Sequence, residues 1–173
     1  EAAIAAELRA GGGVLLIGRP LEGKTRTVQR IVAELDDYLV LRPRSDRMPA
    51  DIASMLLQKQ PVLVLLDDVQ AYGPPEVDLQ KLFRLVAGAT GRWAVLATSL
   101  DAPALHDWDT LGHPVRVVVD HCAHVLQLQR LAPAVLDQVA AVIGRAAPRD
   151  YATVGELCIG AVSPAMRQRF ASL

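Results

Sequence analysis

Eight consecutive residues, Gly18-Arg19-Pro20-Leu21-Glu22-Gly23-Lys24-Thr25, fit the pattern G-x-x-x-x-G-K-[ST] of a phosphate-binding loop. In such a loop, successive backbone N–H groups turn inward. Together with the N-terminus of the following helix they form an anion cradle. Lys24 is long enough to reach the β- and γ-phosphates of a nucleotide, and the Thr25 hydroxyl is a ligand for Mg²⁺. Arg26, next in the chain, closes the candidate nucleotide-binding stretch. Leu21 stands where many such loops carry a further glycine, so a stiffer loop is expected.

A second cluster lies about forty residues on. Pro61-Val62-Leu63-Val64-Leu65-Leu66-Asp67-Asp68 is an apolar run that ends in two acids, the pattern of a Walker B strand. Asp67 is the expected Mg²⁺ ligand, directly or through water. Asp68 is placed to polarise an attacking water. A third strand-like run, residues 93–98, ends in Thr98-Ser99, and Thr98 is the candidate polar tip that faces a γ-phosphate. The expected catalytic set is therefore Lys24, Asp68 and Thr98, with Thr25 and Asp67 on the metal. The expected ligands are ATP or ADP with Mg²⁺. No N-K-x-D stretch for guanine recognition is present, which favours ATP over GTP.

These residues need a scaffold that brings strand ends and a helix start together. Residues 14–17 read as a buried strand, and residues 24–35 as a helix with Val28, Ile31, Val32 and Leu35 at helical spacing. Residues 38–41 read as a short strand, and 49–58 as a helix with Pro49 in its first turn. The run at 62–66, apolar at every position, suits a central strand covered on both faces. A helix is expected at 76–87, a strand at 93–98 and an irregular connection at 99–114. Residues 115–119 and 124–128 both look like strands, and the second is preferred as the fifth strand of the sheet. Helices are expected at 133–143, 154–159 and 164–173. Alternating strands and helices of this kind predict an α/β fold, a parallel sheet with helices on both faces.

The three motifs in this order resemble the nucleotide-binding domain of an AAA+-related ATPase. Within that class the chain resembles the STAND group, relatives of NACHT and NB-ARC domains, in a bacterial form. The supporting residues are Leu66-Asp67-Asp68-Val69, Ala97-Thr98-Ser99, the run Val125-Leu126-Gln127-Leu128-Gln129-Arg130-Leu131-Ala132-Pro133, and the tail from Thr153 to Phe170. The resemblance implies a three-layer P-loop fold of the additional-strand class, strand order 5-1-4-3-2. It implies a nucleotide-binding domain at 1–131 and a small helical lid at 132–173. It also implies a switch, in which ADP holds a closed form while ATP permits self-association or activates attached partner domains. Three features of such domains are missing: a Thr-Thr-Arg strand tip, a Gly-x-Pro lid motif and an assignable arginine finger, for which Arg116 and Arg167 are the candidates.

Composition bounds the alternatives. The chain has 173 residues, 51% hydrophobic, with a formal net charge of −1. That is enough for a substantial core, and it gives no whole-chain electrostatic case for nucleic acid. Aromatics are only 4%, so the core must be aliphatic. Cys122 and Cys158 form no C-x-x-C pair and read as free thiols of a reducing, cytoplasmic compartment. No apolar run reaches the roughly 20 residues of a membrane span. The first residue is Glu, with no signal-peptide pattern behind it, which reads as a piece of a longer protein. His121-Cys122-Ala123-His124 has no usual zinc spacing, and on a strand the two histidines would face opposite ways. Arg42, Arg44 and Arg47 read as a solvated loop, not a nucleic-acid contact. Two other functions remain open: a nucleotide-stabilised scaffold with little turnover, and a P-loop transferase, against which the paired acids argue.

Overall fold

Three strands buried along nearly their whole length form the centre of a five-stranded sheet. The computed structural model describes residues 2–44, 52, 60–72, 78–88, 91–100, 113–128 and 132–142. In chain order these form α1 (Ala2–Arg9), β1 (Gly13–Gly18), α2 (Lys24–Glu34), β2 (Leu39–Leu41), β3 (Val62–Leu66), a 3₁₀ turn (Val69–Ala71), α3 (Leu79–Ala87), β4 (Trp93–Leu100), α4 (Pro114–Val119), β5 (His124–Gln127) and α5 (Pro133–Val142). The sheet runs β2-β3-β4-β1-β5, and every neighbouring pair is parallel.

Leu15, Ile17, Val62, Val64, Leu66, Val95 and Ala97 face one core, which α3 and α4 close with Leu79, Leu82, Phe83, Val86, Val115 and Val118. The residues between them, Val14, Leu16, Leu63, Leu65, Ala94 and Leu96, face the other core. There α1 and α2 supply Ala5, Leu8, Val28 and Ile31. A period of two on the strands thus meets a period near 3.6 on each covering helix, which gives three layers. Leu82 and Phe83 are fully buried, and each contributes on the order of 2–3 kcal/mol of apolar burial. The expected helix at 49–58 lies outside the described residues except for Ile52, which is buried in the first core.

The glycine run after α1 is a helix stop with identifiable hydrogen bonds. Gly11 takes a φ of +85°, its amide donates to Leu8 O, and the Gly12 amide donates to Glu7 O. This pair of bonds around a left-handed glycine is a Schellman cap. It turns the chain straight into β1.

Residues 115–119 are helical, not a strand. Their β-branched side chains favour a strand locally, but the flanks decide otherwise. Pro114 sits at the first turn, the His113 side chain accepts from the Val115 amide, and Arg116 pairs with Asp120 one turn later at 3.0 Å. Val115, Val117 and Val118 are then buried. Pro114 loses no helical hydrogen bond there and presets its own φ, so packing overrides propensity. His121, between the two expected strands, lies in the turn after α4, stacked on Phe83 with ring centroids 4.2 Å apart. His124 opens β5 and reaches Glu7 at 3.4 Å. Cys122 is a free thiol whose pKa burial pushes up to about 12, so it stays protonated and unreactive at neutral pH.

The chain divides into two compact units, Glu1–Gly18 with Lys24–Gln127, and Arg19–Gly23 with Leu128–Leu173. The second contains α5, whose first turn is closed by Val135 and Leu136 amides on the Ala132 carbonyl. The expected helices at 154–159 and 164–173, and Arg167, lie outside the described residues. Among the described residues, no helix is long and apolar enough to cross a membrane.

Gly13 tests the packing of β1. A Cβ there would lie 2.6 Å from the His121 carbonyl oxygen and 3.0 Å from Cys122 Cα, both backbone atoms. Gly13→Ala is expected to destabilise the protein by about 1–3 kcal/mol, read as a lower urea midpoint. An unchanged midpoint would show that the 121–122 turn simply moves aside.

Candidate functional site

The polar residues at the C-terminal edge of the sheet follow from strand register. Leu66 pairs with Ala97, so the next residue on each strand, Asp67 and Thr98, are neighbours. Both continue the alternation that faces α1 and α2, after Leu63 and Leu65 on β3 and after Ala94 and Leu96 on β4. Because α2 covers that face, its N-terminus, with Lys24 and Thr25, belongs to the same face and the same edge.

Thr98 is fully buried, and its hydroxyl is used twice. It donates to Asp67 Oδ1 at 2.8 Å and accepts from the Asp68 amide at 2.8 Å. Asp68 stands in the left-handed region, φ 55° and ψ 63°, as the cap of the 3₁₀ turn. That conformation is uncommon for a residue with a side chain, though Asp tolerates it better than most. The other Asp67 oxygen, Oδ2, accepts from Arg42 Nη2 at 2.9 Å. Arg42, read from sequence as a solvated loop residue, is thus a partner of the expected metal ligand. Its side chain remains 62% exposed, against 24% for Asp67.

A shallower set of bonds steadies the surroundings. Gln70, in the 3₁₀ turn, accepts from the Ser99 hydroxyl at 3.3 Å and from the Leu100 amide at 3.4 Å. The Tyr72 hydroxyl donates to the Pro43 carbonyl at 2.9 Å, tying the segment after β2 to the segment after β3. Burial pushes the Tyr72 pKa up, against the lowering pull of Arg42, so the hydroxyl keeps the proton that it donates. Arg42, Pro43, Arg44, Asp67, Asp68, Ala71 and Tyr72 line a cavity of about 560 Å³ beside the two acids. Arg42, Gln70 and Tyr72 were not read from sequence as site residues. The signal available for Arg42 was its place directly after a strand that neighbours β3.

The phosphate-loop residues fall in two places. In the first unit, Lys24 is only 8% exposed and its Nζ donates to the Gly18 carbonyl at 2.6 Å, which folds the side chain back onto the end of β1. Thr25 and Arg26 lie in the first turn of α2, Thr25 exposed and Arg26 exposed beside it. In the second unit, the Arg19 amide donates to Glu22 Oε2 at 2.8 Å and the Glu22 amide approaches Arg19 O at 3.4 Å. A carboxylate oxygen therefore already sits on one loop N–H, the group type that a phosphate oxygen would use. Gly23 has a φ of +92°, and a Cβ added there would meet nothing within 4 Å. Gly23 is thus required by its conformation, not by space. Leu21, with a φ of +67°, keeps a glycine-like conformation without being glycine.

The donor set suits Mg²⁺. Asp67 is a half-buried carboxylate whose two oxygens are oriented by neighbours, and Thr25 offers an exposed hydroxyl. These are hard oxygen ligands of the kind Mg²⁺ takes together with phosphates. Arg116, the described arginine-finger candidate, lies on α4 and pairs with Asp120. Among the described residues, no cluster of three or more His, Cys, Asp or Glu is arranged to hold a metal by itself.

No protein-family model matches the chain, and no curated protein does. Solved structures do. ORC2 of Aeropyrum pernix, determined in ADPNP and ADP complexes, is 18% identical with a TM-score of 0.51, over 81% of this chain and 49% of its own. A RuvB mutant of Thermotoga maritima is 16% identical with a TM-score of 0.52, over 83% of this chain and 49% of its own. The chain thus spans about half the length of each. The likeness shows the fold, that of a P-loop NTPase.

Two substitutions test this geometry. Thr98→Val removes both hydroxyl bonds and leaves the Asp68 amide without its partner. A loss of about 1–3 kcal/mol in unfolding free energy is expected, with Thr98→Ser close to wild type. Equal stability of the valine and serine variants would show that the hydroxyl is not structurally engaged. At Leu21, the left-handed backbone disfavours any side chain by about 1–2 kcal/mol. Leu21→Gly should therefore be more stable than Leu21→Ala by about 1 kcal/mol in thermal unfolding, and a reversed order would show that the loop relaxes.

Proposed function

We propose that the chain is an ATP-binding, slowly hydrolysing regulatory module of a STAND-like signalling ATPase, a cytoplasmic switch of bacterial type. The observation that carries this reading is the bond set Thr98–Asp67–Asp68 at the sheet edge and face where α2 begins with Lys24 and Thr25. An ordinary acidic turn needs no buried hydroxyl that holds one carboxylate and the next amide together.

In this reading the loop from Gly18 to Thr25, including Arg19, Pro20, Leu21, Glu22 and Gly23, binds the phosphates, with Arg26 at its helical end. Lys24 leaves the Gly18 carbonyl to neutralise β- and γ-phosphate charge, and Thr25 and Asp67 hold the metal. When bound, Mg²⁺ draws charge from the terminal phosphates and fixes their geometry. Asp68, exposed and turned outward by its left-handed backbone, orients water for in-line attack. Thr98 acts by holding both acids in place. Residues 132–173 serve as a helical lid, and nucleotide state is coupled to self-association or to partner domains in a longer chain. Nucleic acid is not required by any residue of the site.

One observation favours a second reading, a nucleotide-stabilised scaffold with little turnover: Asp67 already has a cationic partner in Arg42. Phosphate release separates the two. Lys24→Ala is expected to weaken binding of a fluorescent ADP analogue by at least about a hundredfold, since it removes a charge-assisted contact made by a buried lysine. Asp68→Asn should keep binding within about threefold and lower phosphate release at least tenfold. Tight binding by the Lys24 variant would falsify the nucleotide reading, while binding without any Mg²⁺-dependent release by wild type would select the scaffold.

A further inference from the structure

The ion pair between Arg42 and Asp67 goes beyond the roles assigned above. Asp67 has two oxygens. Oδ1 is taken by Thr98, which is fully buried and belongs to the sheet. Oδ2, at 2.9 Å from Arg42 Nη2, is the oxygen left for a cation, and a cationic group of the protein already holds it. The two oxygens differ in how firmly they are held. The Thr98 bond is part-buried and made by a fully buried residue, whereas Arg42 is 62% exposed and its contact is screened by water. An exposed pair of this kind is a weak clasp, and the positive charge of Arg42 beside Oδ2 opposes a divalent cation drawn to the same oxygen.

The clasp is not incidental to a floppy side chain. Arg42 directly follows β2, whose Leu41 pairs with Val64 of β3. The segment after β2 is then pinned by the Tyr72 hydroxyl on Pro43 O. The backbone that carries Arg42 is therefore fixed beside the strand that carries Asp67, while the guanidinium itself can leave toward the cavity.

We propose that Arg42 is a positioning residue that occupies the metal-binding oxygen of Asp67 and competes with the divalent cation for it. The inference deepens the reading of Asp67 as a Mg²⁺ ligand and rests on it. Arg42 keeps Asp67 aimed and charge-balanced before the metal arrives, and it raises the metal concentration at which the site fills. Its departure on filling places a positive group in the cavity that Arg42, Asp68 and Tyr72 line.

The test uses Mn²⁺ as a spectroscopic stand-in for Mg²⁺, with free ion counted by electron paramagnetic resonance, in protein without nucleotide. Wild type, Arg42→Gln and Arg42→Lys are compared with Asp67→Asn and with Asp67→Asn combined with Arg42→Gln. Arg42→Gln should tighten Mn²⁺ binding about twofold to fivefold, Arg42→Lys should fall between it and wild type, and both Asp67→Asn proteins should lose the site. Equal Mn²⁺ affinity in wild type and Arg42→Gln, or no Mn²⁺ site in either, overturns the proposal. Tyr72→Phe provides a second arm that leaves both charges in place. Loosening the Arg42 segment should tighten Mn²⁺ binding in the same direction, and weaker binding would count against it. Binding of a fluorescent ADP analogue to the same proteins is measured separately. Its absence in wild type refutes the nucleotide reading, while the Mn²⁺ result still decides the competition at Asp67.

Discussion

The buried hydroxyl of Thr98 is the contact on which the rest of the site depends. It has one proton to give and lone pairs to receive, and the structure uses both kinds of capacity. The proton goes to Asp67 and a lone pair takes the Asp68 amide. Consecutive residues at a strand end normally diverge, since their side chains point to opposite faces. Here a single group on the neighbouring strand fixes the carboxylate of one and the backbone of the next. That ties the two acids at one strand end to one shared partner. It also explains why Asp68 persists in a left-handed conformation, for its amide has a buried partner in that geometry and would lose it by relaxing.

The sheet makes this contact possible through order, not proximity in sequence. Thr98 meets Asp67 because β4 lies beside β3, and α2 begins on the same face because β1 lies on the other side of β4. The sheet also treats its edges unequally. Inner strands β1 and β3 are buried throughout, whereas β5 is exposed along its length. The bonded set of Thr98, Asp67 and Asp68 therefore sits at the end of the buried part of the sheet.

Much of this was legible in the residues, and the failures have physical causes. The inner strands could be read because being buried on both faces removes the alternation that marks an ordinary strand. The candidate phosphate loop and the paired acids stand out in the sequence because each is a local pattern. Residues 115–119 misled because β-branched content speaks for a strand, while a proline at the first turn, a capping histidine and an Arg116–Asp120 pair speak for a helix. Those three signals were in the sequence and outweigh propensity once the apolar face has a core to meet. Arg42 misled for a different reason. An arginine in a basic loop resembles many solvated ones, and only the pairing of β2 with β3 distinguishes it. Side-chain partners across strands are set by topology, which local patterns do not contain.

Among the described residues, two that are not glycine stand in the left-handed region, Leu21 and Asp68. Each disfavours its backbone by roughly 1–2 kcal/mol, so each persists only where its surroundings over-determine it. Asp68 is held by a buried hydroxyl, by the bond that its own carbonyl accepts from the Ala71 amide, and by the strand behind it. Leu21 has weaker guards: a Glu22 carboxylate on the Arg19 amide, and a long backbone contact of 3.4 Å in the other direction. Strain held by buried bonds stays put, whereas strain held by an exposed carboxylate is released when a stronger anion takes the same N–H. Asp68 is therefore held by the sheet, whereas Leu21 is held by its own loop alone.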